Sequence, residues 1–559
     1  MSGGPGSSSE PVRRVTALFI AVAAISLVPR LWLAVHRPLS HNGAWHLFAA
    51  RFFRHELGTI AHPPLFLLLL KACDRLSRSL LSYRLVPLAA GVASVLLVGL
   101  LLDRLGCLPS ASALGALAIA LSTTAVALSV QVEGFALAVA FVLAALWLAL
   151  DLLAMDPEHP PPLSSRAGFA AFASLALLTE YLAGLFLIAV ALAPILAAVL
   201  RPGYRRRLFA ALPRRVAADV LTLAAPALVG AALYRFLARP WISMLSGAAS
   251  GLPHFYLRPG AESPVAFLAR TLAATSNLYS PAALAPFAAA AALVLFLALA
   301  ILAPATERPA NGGGDERLFP AVVLTLLIAV GAALGLLGRY PFGGTHRHQI
   351  LLLYFAVLAG AVALDRFLRA FPPPGRLAIT VLGVAAIGLA AFHNRDARVF
   401  RDEPMNTRAG IFARNLGGLE GGVVHFDQLN FIGLFMDFYA WDCRSAGRIS
   451  EDPWEERYEF SQGDRHFTAI YHRFRFLMDL RSPALYADLR KTFPAAGAAC
   501  QTVFHVDRNL FTGPHTLRPP AEREELQKQI PVLAATAGLT LRAMTVDDDF
   551  VEVALCPRP

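Results

Sequence analysis

The sequence predicts a polytopic α-helical membrane protein of about eleven transmembrane helices followed by a C-terminal soluble α/β domain, a crossing needing about 20 apolar residues. Three observations predict it. Hydrophobic residues make up 56% of the 559 and charged residues only 16%, with a mean hydropathy of +0.56. The apolar residues fall in a train of long runs between residues 15 and 393. From 394 to 559 acidic residues return at soluble density, among them Asp427, Asp437, Asp442, Glu451, Asp452 and Asp547 to Asp549. This balance excludes an ordinary soluble enzyme, a disordered chain and a collagen-like one. Five cysteines in a chain this long exclude a disulfide scaffold.

The runs lie near 15–36, 84–102, 110–129, 134–154, 167–178, 181–200, 217–237, 282–303, 318–338, 349–368 and 377–393. The first is too long for a signal peptide and has no small-residue cleavage site, so it reads as a retained span. The stretch 167–200 is too long for one crossing; Thr179-Glu180-Tyr181 interrupts it and predicts a turn. The formal net charge of +11 comes mainly from Arg at the ends of runs. Arg there sets membrane orientation, so the basic partner is the membrane and not nucleic acid. With Arg13 and Arg14 cytoplasmic, the inside loops are those around Asp103-Arg104, 155–166, 201–216, 304–317 and 365–376. They carry Arg166, Arg201, Arg205, Arg206, Arg207, Arg214, Arg215, Arg308, Arg317, Arg366, Arg369 and Arg376. The chain then divides into a cytoplasmic tail (1–14), a transmembrane domain (15–393) and an extracytoplasmic domain (394–559).

His, Trp, Asn, Glu and Tyr concentrate in the outside loops, where chemistry is expected. In the loop 37–83, apolar Trp45, Phe48, Ala49, Phe52 and Phe53 form a helical stripe over Ala44 to Glu56, predicting a helix lying at the interface. His62-Pro63-Pro64-Leu65 then opens a second short helix to Leu76, proline suiting a first turn. Ser82-Tyr83-Arg84-Leu85-Val86-Pro87 leads into the second span. Gln131-Val132-Glu133-Gly134-Phe135-Ala136-Leu137 begins a later span, and Thr179-Glu180-Tyr181 marks a helix break.

In this order, over residues 15 to 440, the segments resemble the polyprenyl-phosphate-sugar glycosyltransferases of the GT-C class, specifically the protein-mannosyltransferase and aminoarabinose-transferase group. The resemblance implies a GT-C-like fold in a bacterial inner membrane. It implies transfer of a sugar from a polyprenyl-phosphate-linked donor to a lipid, glycan or protein acceptor on the extracytoplasmic face. One feature departs from the group. Its acidic pair after the first span is replaced here by Asn42-Gly43, within Leu39-Ser40-His41-Asn42-Gly43-Ala44-Trp45-His46. A general base contributes roughly 10²–10⁴-fold, so His41, His46, Glu56 and Glu133 are candidate replacements. A non-catalytic GT-C-like scaffold or lipid-glycan-binding protein is the alternative, and a transporter a third reading with less support, since charges avoid the middles of the runs and no inverted repeat is visible.

His41, His46 and His62 are also a candidate set for a divalent cation, set against plain interfacial histidines. Glu180 and Glu133 stand at helix mouths, where a carboxylate near membrane depth is a functional candidate; His62, Glu180 and Tyr181 are assigned to the acceptor or cavity. In Tyr340-Pro341-Phe342-Gly343-Gly344-Thr345-His346-Arg347-His348-Gln349, Arg347 offers a planar fork for the donor phosphate, with His346 and His348 as further donors and Arg84 at similar depth. The loop 238–281 holds Arg239, Trp241, His254, Tyr256, Arg258, Arg270, Asn277 and Tyr279, suited to a sugar or to an aromatic belt. In the C-terminal region strands are predicted at Gly421 to Asp427, Cys500 to Val506 and Leu539 to Met544, with helices at Leu429 to Tyr439 and near 520–536. Cys443, Cys500 and Cys556 allow one disulfide whose pairing the sequence does not decide.

Overall fold

The computed structural model describes residues 9–37, 39–51, 62–154, 160–239, 257, 260, 262–276, 316–340, 342, 346–393, 422–426, 442–448, 455–472, 480–492, 500–506, 520–546 and 550–558. They form two compact units. The first comprises Met1–Arg37, Leu57–Ala72 and Leu81–Arg401, the second Pro38–Glu56, Cys73–Leu80 and Asp402–Pro559.

The helices follow the apolar runs, because a backbone in hydrocarbon must satisfy its own N–H and C=O groups. In chain order they are α1 (Ser9–His36), α2 (His41–Arg51), α3 (Pro64–Leu76), α4 (Leu80–Arg104), α5 (Pro109–Leu121), α6 (Thr123–Leu128), α7 (Phe135–Leu153), α8 (Leu163–Thr179), α9 (Ala183–Leu200), α10 (Pro202–Leu233), α11 (Pro264–Ser276), α12 (Phe319–Leu336), α13 (Ile350–Arg369) and α14 (Pro373–His393). Among the described residues, 8 segments are long and apolar enough to cross a membrane. Pro109–Leu121 and Leu163–Thr179 are shorter apolar helices, and the expected run 282–303 lies outside the described residues.

Three expectations change. The run 110–129 is not one helix: Ser122 is extended (φ −61°, ψ 122°) and its hydroxyl accepts from Ala125 N, restarting the chain as α6. The helix expected in the loop 37–83 starts at His41, where Ser40 Oγ accepts from Gly43 N at 3.0 Å. It does not lie on a surface: from Gly43 to Ala50 every residue but Trp45 is buried. Within the second unit its Phe48 meets Tyr458 edge-on at 5.3 Å, and Arg51 pairs with Asp74 at 2.9 Å. Charge also enters a run, since Arg30 inside α1 is 0% exposed.

Residues from the five expected inside loops gather at one end of the first unit. Asp365, 0% exposed near the end of α13, accepts from Leu108 N at 2.6 Å, Arg317 Nη1 at 3.0 Å and Arg369 Nε at 2.8 Å. Both arginines also donate to Gly106 O, and Gly106 has φ +68°, a conformation that favours glycine. Arg104 pairs with Asp151, Arg166 with Asp219 at 2.6 Å, and Tyr204 donates to Leu153 O at 2.9 Å. A buried carboxylate with several donors is the arrangement in which an ion pair survives desolvation. The other end of α13 lies about 30 Å away at 1.5 Å per residue.

The second unit carries a seven-stranded sheet: β1 (Val423–Phe426), β2 (Asp442–Arg448), β3 (Glu455–Gln462), β4 (Arg465–His472), β5 (Gln501–Val506), β6 (Leu539–Val546) and β7 (Phe550–Pro557), in the order β2-β3-β4-β1-β5-β7-β6. β1 is parallel to β4 and β5, and the remaining pairs are antiparallel. α15 (Pro483–Thr492) and α16 (Pro520–Thr536) share a core with the sheet through Tyr486, Leu489, Leu526, Ile530, Val503 and Val553. This meets the expected α/β reading at β1, β5, β6 and α16, while Leu429 to Tyr439 lies outside the described residues. The β5–β7 register sets Gln501 against Leu555, so Cys500 and Cys556 face each other and form the disulfide.

Candidate functional site

At the end of the first unit opposite Asp365, three separated segments converge. Glu133 sits in the turn between α6 and α7 and is 2% exposed. Glu180 breaks the run between α8 and α9 in an extended conformation (φ −153°, ψ 137°), its N–H donating back to Ala176 O. Arg347 lies on the single 3-10 turn His346–Gln349 that opens α13. Arg347 Nη1 stands 3.5 Å from Glu133 Oε2.

Glu180 is 5% exposed and packs against the backbone of the Glu133 turn. A Cβ placed on Gly134 would come within 2.9 Å of Glu180 Oε1 and 3.1 Å of Thr179 Cγ2, so glycine is what allows the two segments to close. Burial, and then the neighbouring Glu133, pushes the Glu180 carboxyl up to about 8, with Arg347 pulling the other way. At neutral pH Glu180 is therefore a protonated acid beside a Glu133–Arg347 ion pair. Burial and then Glu180 also push the Tyr181 phenol upward, keeping it a neutral donor. His348 completes the wall: its ring meets Phe135 edge-on at 6.5 Å, and its carbonyl accepts from the Tyr340 hydroxyl.

The structure thus brings together Glu133, Glu180, Tyr181, Arg347 and His348 among the residues the sequence singled out. It places Arg84 differently. That side chain is 1% exposed and its Nη1 donates to Ala34 O at 2.6 Å, tying α4 to the last turn of α1. His62 is half-buried at the bend before α3, in the first unit. His41 and His46 belong to the second unit, where His46 is buried with its ring edge-on to Trp45 at 5.2 Å. The His41 and His346 side chains, all of Glu56, and most of the loop 238–281, including Trp241, His254 and Tyr256, lie outside the described residues. Sequence reasoning missed the contribution of Gly134 and the Glu133–Arg347 pairing; the glycine directly after the acid was the available signal.

Neither a protein-family model nor a curated protein sequence matches the chain. Among solved structures the chain is similar to ArnT from Cupriavidus metallidurans in the crystal structure bound to undecaprenyl phosphate, with TM-score 0.48 and 13% identity over 98% of both chains. It is also similar to the apo state of that protein, with TM-score 0.40 and 14% identity over 98% of both chains.

Proposed function

We propose that this protein is a membrane glycosyltransferase that moves a sugar from a polyprenyl-phosphate donor to an acceptor on the extracytoplasmic face. The observation that carries the reading is the Glu133–Arg347 pair with the buried Glu180 carboxyl packed beside it at Gly134. The order of sequence segments supports it independently. In the reaction the bond between the anomeric carbon and phosphate oxygen breaks, the phosphate keeps the electron pair, and a new bond forms to the acceptor oxygen or nitrogen. Glu133 takes the acceptor proton, filling the place left by Asn42-Gly43. Arg347 stabilises the phosphate leaving group; a guanidinium has five donors, so contact with Glu133 leaves others for phosphate oxygens. Glu180 and Tyr181, both protonated, orient the acceptor or sugar hydroxyls.

The test is transfer and binding in nanodiscs. A panel of polyprenyl-phosphate-linked sugars is offered to the purified protein and release of polyprenyl phosphate is scored. Glu133→Gln should lower turnover by roughly 10²–10⁴-fold while undecaprenyl phosphate binding persists. Full turnover by Glu133→Gln would remove Glu133 as the base. Binding of undecaprenyl phosphate without transfer of any sugar would favour the non-catalytic, lipid-glycan-binding alternative.

A further inference from the structure

We infer that Arg30, deep in the first span, is a positioning residue that sets the Glu133 turn, an inference that rests on the proposed sugar-transfer reading. Arg30 is 0% exposed in α1, and its Nη1 donates to Ser26 O at 3.0 Å and to Ala120 O at 2.8 Å. Ala120 lies in the last turn of α5, immediately before the break at Ser122, where carbonyls lose their intrahelical partners. The guanidinium therefore caps the broken helix and sets positive charge at the negative end of its dipole.

Gly91 of α4 lies between Arg30 and the end of α6. A Cβ on Gly91 would lie 3.2 Å from Arg30 Nε and 2.3 Å from Ser129 Cβ, so α1, α4 and the residue that ends α6 are packed around one glycine. Ser129 in turn donates to Ala125 O and Val126 O at 2.8 Å, closing α6. Leu33, Ala34, Leu88, Val126 and Val130 fill the space above. Arg30 thus bonds the end of α5 just before α6 and, with Ser129 at the end of α6, packs about Gly91, and Glu133 follows Ser129 by four positions.

An arginine is an expensive choice for this task. Among the described residues it has no acidic partner, and its Nε and Nη2 are buried without an acceptor. An ionisable group placed inside a span in this way is a functional candidate. A buried charge often contributes little to global stability compared with an apolar side chain of similar volume. What the guanidinium supplies, and an apolar side chain does not, is the bond to Ala120 O at the kink.

Arg30→Met, Arg30→Lys and Gly91→Ala test the inference in the full chain. A shift of about 1 Å at a reacting group costs on the order of 100-fold in rate. Arg30→Met should lower kcat by about that factor with KM little changed, and Arg30→Lys, which keeps one donor for Ala120 O, should recover much of it. Gly91→Ala should reproduce the Met variant by displacing Ser129. Hydrogen exchange supplies a readout independent of turnover. In Arg30→Met, or in Gly91→Ala if the Met variant does not fold, exchange should rise in residues 119–134 and stay at the wild-type level in 135–200. Wild-type exchange in 119–134 would overturn the inference, and so would a rise spread equally over both segments, which marks a general packing role. A wild-type protein inactive toward every donor would sink the transfer reading alone, and the exchange pattern would still decide what Arg30 does.

Discussion

Replacing Glu180 with Gln should remove a pH dependence that the wild-type protein carries. Burial, and then Glu133, raise the carboxyl from its ordinary 4.5 to about 8. The native state therefore holds a proton that the unfolded chain has already released. The sign follows from linkage: the stability from this proton is fully present below about pH 4.5, and it is lost as pH rises toward about 8, beyond which nothing more changes. At 1.36 kcal/mol per pH unit, the rise from 4.5 to about 8 corresponds to about 5 kcal/mol across that window as an order of magnitude. Gln keeps the size of the side chain against Gly134 and cannot ionise. Thermal unfolding of purified protein in detergent at pH 5, 6, 7 and 8.5 is the assay. Wild type should lose several degrees of Tm across the series, and Glu180→Gln should lose distinctly less, so that the variant is the more stable of the two at pH 8.5. Arg347→Ala should enlarge the loss at the alkaline end of the series, because it removes a neighbouring cation that favours the ionised form. Equal slopes for wild type and Glu180→Gln would refute the protonated-acid reasoning.

Asp365→Ala should destabilise the first unit by about 1–3 kcal/mol, since it removes the buried acceptor of the Leu108 N–H and one partner each of Arg317 and Arg369, and a drop in Tm checks it. Arg347→Ala should weaken undecaprenyl phosphate binding by about 10- to 150-fold, a charge-assisted bond contributing roughly 1.5–3 kcal/mol, with Arg347→Lys intermediate because it keeps the charge and loses the fork; wild-type affinity in a folded Ala variant would make Arg347 a span anchor. Labelling from outside should reach a cysteine engineered at position 450 and not one at 210, and the reverse would overturn the orientation argued from the Arg distribution. Removing the Cys500–Cys556 bond, which spans 56 residues, should cost the second unit about 4 kcal/mol by loop entropy, seen as faster proteolysis within 402–559 after reduction.

The spans were legible because hydrocarbon imposes one requirement, a long apolar run folded as a helix, and both length and composition record it. The break at Thr179-Glu180-Tyr181 was legible for the same reason, since three polar side chains interrupt a run too long for one crossing. Strands β1, β5 and β6 announced themselves as apolar stretches in a polar region. The strands β2 to β4 did not, because charged residues such as Glu455, Glu456, Arg457 and Glu459 break up the apolar pattern, and the pairing that buries Tyr458, Phe460, Phe467 and Ile470 is not visible in a local stretch. Ser122-Thr123-Thr124 stood as three small hydroxyl residues within an apolar run, and the break there shows only in the tertiary structure, where Ser122 caps α6 and Arg30 in another helix bonds Ala120 O. The partners of charged groups were likewise beyond the sequence. Glu133 and Arg347 stand 214 positions apart, and Arg317 and Asp365 stand 48 apart. Local pattern determines where a helix begins and which face is apolar; which charge meets which is decided by packing, because an ion pair in a bundle forms between whatever segments the helices bring to the same depth.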